Sequence, residues 1–422
     1  MDEINSQRYW FEKHIDQISE VKKTPYFLLN TEIVKARIGR YRSDKNFNVI
    51  MGYPIKANSS REILQLYAKM GQMAEVVSDG EIYLCHSAGF EYKNLIFNGC
   101  GKTDDEIIFA LKNGLHLNID SAAEFERIKL ILKNELKDGG YPELKLGFRL
   151  NFDISAGGHN LIRTSECNCK FGMSVGAIMA LLEQNKDFFK DKPILLHYHL
   201  GSQIMNFKPF ETALSKLAET ADKVLNAGFK ISYLDVGGGL GIAYEAKDQT
   251  IEPAPEEYVK LIARYLKRFN VPVIIEAGRS TVAPAEVVVT KVLLLKENGG
   301  TSWVICDIGA NALLRVAYLD WYHEIAVLDK DFKLKSADKN TRTYSIGGPL
   351  CFSGDILARD RILPKIEAGD HLVLMHTGAY CKAMMNNYCG RLFPDQYVVE
   401  NGEFKLSSRS QKLEDLTYLE MK

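Results

Sequence analysis

The residues best able to do chemistry come in a definite order along the chain. Lys56 follows an apolar run in YPIKAN (53–58), three glycines follow another in LDVGGGLG at 237–239, and EAGRS (276–280) sets an acid beside an arginine after a third. An amine such as Lys56 can form a Schiff base with a carbonyl compound. Consecutive glycines let backbone N–H groups approach a phosphate, and Glu276 with Arg279 supplies an anion and a cation. His197 and His199 alternate within HYHLGSQ and so share one face of a strand. Singly, these are a surface lysine, a turn, a structural ion pair and core histidines. Their joint order gives them weight.

Such an order needs a frame that gathers distant loops at one place. From 48 to 276, eight short apolar runs alternate with stretches of helical period: 49–53, 74–77, 95–98, 117–120, 146–151, 195–200, 233–236 and 273–276. SREILQLYAKMGQ and SAAEFERIKLILKNELK are two of the helical stretches, with apolar residues three and four apart. Eight βα units in this span predict an α/β fold, a (β/α)8 TIM barrel, better than a doubly wound sheet. Barrel enzymes place their chemistry at the C-terminal ends of the strands, which selects Lys56, Ser78, Asn98, Asp120, Arg149, His199, Gly237 and Glu276.

After Arg279 the texture changes to AEVVVTKVLLL, WVICDI and HLVLMH, broken by Gly, Pro and Asn, which predicts a β-rich C-terminal domain. The expected division is 1–30 as an N-terminal segment that packs with the β domain, 31–280 as the barrel and 281–422 as the β domain. The 422 residues suit two domains, and a net charge of −1 argues against nucleic acid or an anionic membrane surface as partner. The polar start MDEINSQRYWFEKHID and the lack of a spanning apolar run predict a cytoplasmic protein. Eight cysteines without a CxxC pair predict thiols, and Cys167 and Cys169, lacking a second pair at ligand spacing, leave no metal site expected.

The ordered motifs resemble the group IV, fold-type III decarboxylases that use pyridoxal 5'-phosphate (PLP). These include diaminopimelate, ornithine and arginine decarboxylases and share an alanine racemase-like barrel. The resemblance runs from about 25 to 400 and rests on YPIKAN, VVSDGEI (76–82), NIDSAAEF (118–125), HNLIRTSECNCKFG (159–172), HYHLGSQ (197–203), LDVGGGLGIAY (234–244), EAGRS, GGPLCFSGD (347–355) and TGAY (377–380). It implies that Lys56 carries PLP as a Schiff base, that Glu276 faces the pyridine nitrogen, and that His199 stacks on the ring. Ser202, Gly238, Gly239, Gly278, Arg279 and Tyr380 would bind the phosphate, and Arg279, Arg315, Phe352 and Tyr380 would line the substrate. It also implies a homodimer with shared active sites, in which Cys351 of one subunit protonates Cα in the other; a thiol suits that step because its pKa lies nearer neutrality than an alcohol's.

The match departs at the substrate end. Relatives usually carry an acid after the cysteine, where this chain has Phe352; RVAYL (315–319) replaces Arg-Pro-x-Leu-Tyr; EAGR replaces EPGR; and NGCGK brings in Cys100. Losing a charge-assisted hydrogen bond to a distal ammonium removes roughly 1.5–3 kcal/mol, enough to change the preferred substrate. The amino-acid substrate is therefore expected to lack a free ammonium at its far end, as a conjugated or non-standard amino acid of secondary metabolism would, unless Asp355 or Glu324 supplies the lost contact. Three other readings stay open: an amino-acid racemase, a non-catalytic PLP-binding homologue, and a metal hydrolase built on the two histidines. Glu276 and Cys351 favour decarboxylation.

Overall fold

The computed structural model describes residues 9–21, 23–42, 47–137, 141–155, 165, 168–245, 252–336 and 340–420. They form two compact units: one within Lys35–Ile242 and Ile251–Thr281, the other within Met1–Val34, Ala243–Thr250 and Val282–Lys422. Among the described residues no helix is long and apolar enough to cross a membrane.

The first unit is a closed barrel of eight parallel strands. The first strand of the chain, β1 (Tyr26–Asn30), lies outside it. The barrel strands are β2 (Val49–Pro54), β3 (Met73–Val76), β4 (Leu95–Phe97), β5 (His116–Ile119), β6 (Lys145–Leu150), β7 (Ile194–Tyr198), β8 (Ile231–Asp235) and β9 (Val273–Ile275). They match the eight apolar runs to within a few residues. Closure is explicit in the register, where Val49 of β2 sits opposite Val273 of β9. Met73, Ile96, Leu195 and Ile274, from β3, β4, β7 and β9, share one buried apolar cluster.

Local chemistry sets the helix starts. Ser121 accepts the Glu124 N–H at 3.2 Å ahead of helix Ala122–Asn134, and Thr103 with Glu106 forms a reciprocal capping box ahead of helix Asp104–Asn113. A buried ion pair braces the mouth between β4 and β5. Lys102 Nζ meets Glu124 at 2.8 Å and also donates to the carbonyls of Gly99 (2.6 Å) and Asn118 (2.8 Å), so the charge is fully hydrogen-bonded.

The second unit is β-rich. After β1 it contains β10 (Glu286–Asn298), β11 (Thr301–Cys306), β12 (Ile325–Leu328), β13 (Thr341–Gly347), β14 (Ile356–Pro364), β15 (His371–Leu374), β16 (Asp395–Glu400) and β17 (Glu403–Ser408). The order β14-β13-β11-β10-β1-β16-β17 is extended by β15, which pairs with both β10 and β12. The N-terminal strand β1 is thus central, antiparallel to β10 and parallel to β16. Alternate residues of β1 serve two cores: Phe27 packs with Val288 and Leu372, while Tyr26 and Leu28 pack with Val287 and Val373.

Candidate active site

Lys56 sits in the single turn Ile55–Ala57 just past β2. The turn is pinned from behind: buried Tyr53 donates its hydroxyl to the Asn58 carbonyl at 2.8 Å, and Asn58 Oδ1 accepts both the N–H and the hydroxyl of Ser60. The Lys56 amine is ion-paired with Glu75, a carboxylate buried within β3. Neighbouring strand ends carry the pairing onward. Asn98, just past β4, donates its amide to Glu75 at 3.1 Å and to Glu276 at 2.8 Å.

Glu276 follows β9 and is 2% exposed. His197 Nε2 and His199 Nδ1 lie 3.6 and 3.8 Å from its Oε2. Burial pushes this carboxyl up, but its interactions with His197, Lys56 and His199 outweigh that and hold the group below the usual carboxylate range. Asp235, also buried, goes the other way, raised well above its ordinary value by burial and by the Glu276 charge. The pair therefore carries one firm negative charge, on Glu276. His197, Asp235 and Glu276 bring possible ligand atoms within 4.8 Å of one another, but a protonated Asp235 is a poor metal ligand.

His199 lies just beyond β7 and is half-buried. Its Nδ1 accepts the backbone N–H of Gly238 at 3.1 Å. The glycine run is required by close approach: a Cβ on Gly238 would fall 2.0 Å from the Glu276 carbonyl oxygen, and one on Gly239, at φ +111°, 2.6 Å from the Gly201 carbonyl. The loops after β7 and β8 are zippered together by Ile204 N–H to Gly239 O (2.9 Å) and Gly241 N–H to Ile204 O (3.1 Å). That brings Ser202 beside the glycines, where its hydroxyl accepts from both Nε and Nη2 of Arg279 at 3.1 Å. A Cβ on Gly278 would meet the Pro54 ring at 2.8 Å, so the arginine loop lies close against the Lys56 loop.

In the β-rich unit, Cys351 and Phe352 sit exposed on the loop between β13 and β14. Asp355 ties that loop down: its carboxylate accepts the N–H groups of Ala310 (2.6 Å) and Leu350 (2.7 Å), and its own N–H donates to the Phe352 carbonyl at 2.9 Å. Arg315, in helix Leu314–Tyr318, is buried with its guanidinium 4.8 Å from the Tyr380 ring centre and 4.7 Å from that of Trp321. Tyr380 holds the strained φ of +61° in the TGAY turn after β15.

The structure thus brings Lys56, His199, Ser202, Gly238, Gly239, Glu276, Gly278 and Arg279 together at the C-terminal ends of the barrel strands. Arg315 and Tyr380 meet each other in the β-rich unit, which also carries Cys351 and Phe352. An amine, a separate ionised carboxylate, and a guanidinium with a hydroxyl beside a glycine cradle suit a phosphorylated pyridine aldehyde. In PLP these would meet the aldehyde carbon, the ring nitrogen and the phosphate respectively.

A sequence profile described as "Pyridoxal-dependent decarboxylase, pyridoxal binding domain" matches residues 32–283. The chain belongs to the pyridoxal-dependent decarboxylases. The diaminopimelate decarboxylase of Aquifex aeolicus is 31% identical over 395 residues, covering 93% of this chain and 90% of that enzyme. That of Zymomonas mobilis is 33% identical over 374 residues, covering 88% and 86%. The crystal structure of Helicobacter pylori diaminopimelate decarboxylase complexed with L-lysine superposes with a TM-score of 0.88 at 29% identity, covering 96% of this chain and 98% of that one. This chain is accordingly a PLP-dependent amino-acid decarboxylase of fold type III, of the diaminopimelate decarboxylase type.

Two features of the decarboxylase site escaped sequence reasoning. Glu75, the partner of Lys56, is visible in the sequence only as an acid inside the apolar run AEVV; Asn98 is selected there as a strand-end residue but without a role. Most of the motif HNLIRTSECNCKFG, Cys167 among it, lies outside the described residues, while Cys169 is within 3.3 Å of the Asn151 amide.

Proposed function

We propose that this decarboxylase removes the α-carboxylate of an amino acid whose far end is not a free ammonium, with PLP held on Lys56. The cofactor, when bound, supplies an electron sink for the pair left at Cα when CO2 departs. The protein's residues then divide the remaining work. Lys56 anchors the cofactor, and ionised Glu276 holds a proton on the pyridine nitrogen. His199 covers the ring as a neutral imidazole. Ser202, Gly238, Gly239, Gly278 and Arg279 bind the phosphate, joined by Tyr380, and Arg279, Arg315, Phe352 and Tyr380 contact substrate. Cys351 Sγ, from the second subunit of a homodimer, delivers a proton to Cα. The observation that carries the reading is the continuous set of contacts Lys56–Glu75–Asn98–Glu276 across strand ends β2, β3, β4 and β9.

The substrate reading is supported by what surrounds Phe352. Both carboxylate oxygens of Asp355 already accept backbone N–H groups, and Glu324 accepts the Tyr9 hydroxyl at 2.7 Å, so both candidate replacement acids have other work. A cavity of about 320 Å³ opens beside Phe352, walled by Leu314, Leu350 and Tyr388 with Asn311 and Asn386, and among the described residues no charged side chain lines it. It suits an apolar or amide-bearing group, not an ammonium. The test is CO2 release from a panel of free and conjugated amino acids with PLP present. Efficient turnover of free meso-diaminopimelate would sink the altered-substrate reading, and release that survives Lys56→Ala would sink the PLP chemistry itself.

A further inference from the structure

Asn98 occupies an unusual place in the hydrogen-bond pattern. It is 3% exposed, and its amide nitrogen donates to two buried carboxylates at once, Glu75 Oε1 at 3.1 Å and Glu276 Oε1 at 2.8 Å. Carboxylates accept only, so the NH2 end must face them; the Oδ1 end then faces the Asn118 side-chain amide, which donates to it at 2.7 Å. The orientation of Asn98 is fixed from both sides. Asn118 is in turn held in place. Its carbonyl accepts from buried Lys102, and its side chain fills the space left by Gly147, where a Cβ would come 2.0 Å from Asn118 Oδ1.

The two acids bridged by Asn98 serve different ends of the site. Glu75 pairs with the Lys56 amine, and Glu276 is the carboxylate beside His197 and His199. Two carboxylates this close in a buried setting repel, and one takes up a proton unless donors hold both ionised. A single shared N–H2 group is such a donor. We propose that Asn98 is a positioning residue that keeps Glu75 and Glu276 ionised together and so sets the proton affinity of the Lys56 nitrogen. The proposal rests on PLP being held by Lys56.

The test follows the cofactor's absorbance with pH in PLP-loaded enzyme. Asn98→Ala removes the donor, one acid takes up a proton, and Lys56 loses negative charge nearby; the spectral midpoint should fall by about one pH unit, a tenfold loss of proton affinity. Glu75→Gln should lower it too, and adding Asn98→Ala to Glu75→Gln should add little, because the route through Glu75 is already cut. Asn118→Ala, which only frees the Asn98 amide, should give a smaller shift of the same sign and decides the matter if Asn98→Ala loads no cofactor. A midpoint unmoved by Asn98→Ala and by Asn118→Ala overturns the proposal while leaving the PLP reading intact. A wild-type enzyme that gains no cofactor absorbance with PLP at any pH overturns both.

Discussion

His199 Nδ1 accepts the N–H of Gly238 at 3.1 Å. An imidazole nitrogen that accepts a backbone proton is unprotonated, so this bond selects the neutral tautomer with its proton on Nε2. Burial pushes the ring's pKa down to about 3, more than the Glu276 charge raises it. His199 is therefore a flat, neutral surface at the barrel mouth, and its contact with Glu276 at 3.8 Å is not an ion pair. Isotope-edited NMR should show the His199 ring neutral from pH 5 to pH 8, with no titration in that window.

Buried neutral histidines also shape acid stability. His116, whose ring meets Tyr233 edge-on at the N-terminal end of the barrel, is likewise lowered to about 3, first by burial and then by Lys145. Below pH 6.5 the unfolded chain binds a proton that the folded ring refuses, so stability falls as pH drops from about 6.5 towards 3 and is unaffected above that window. The contribution from His116 should reach up to about 3 kcal/mol near pH 4. Urea unfolding at pH 7 and pH 4 should show it, and His116→Gln should lose less on acidification than wild type.

Glu276→Gln keeps the shape and removes the charge. Turnover should fall by about 10²–10³-fold while the fold is retained, because the carboxylate acts electrostatically on the reacting system. Steady-state rates with circular dichroism check this; a loss under tenfold would mean that the charge on Glu276 is not used.

Arg279→Ala should weaken PLP binding by roughly 10–100-fold, the loss of a charge-assisted hydrogen bond of about 1.5–3 kcal/mol. Fluorescence titration of the apo-enzyme with PLP reads the affinity. Ser202→Ala should have the smaller effect, since Arg279 keeps its charge when the hydroxyl that accepts from it is gone.

Sharing of sites between subunits can be tested by mixing. Lys56→Ala and Cys351→Ala enzymes should each be nearly inactive. After subunit exchange the mixture should recover up to about a quarter of wild-type activity, because half the dimers are mixed and each has one site with both residues intact. No recovery despite demonstrated exchange would place Cys351 and Lys56 of one chain in the same site.

Much of this was legible in the sequence. The eight barrel strands stood out because each is a short apolar run bounded by helical period, and the strand-end rule then selected Lys56, His199 and Glu276. What the sequence withheld were pairings made by barrel closure. Glu75 reads as one acid in AEVV until β3 is set beside β2 and β4, and Asn118 as one amide in LNID until Gly147 leaves it room. Asp355 read as a possible substrate acid, but the fold turns its carboxylate onto two backbone N–H groups.

The proposed anchoring of the cofactor by Lys56 can be tested directly. Borohydride reduction of PLP-loaded enzyme, followed by digestion and mass spectrometry, should find the pyridoxyl group on the peptide that carries Lys56, and Lys56→Ala should yield none. A pyridoxyl group on another lysine would contradict the account, as would a Lys56→Ala enzyme that still releases CO2 at the wild-type rate.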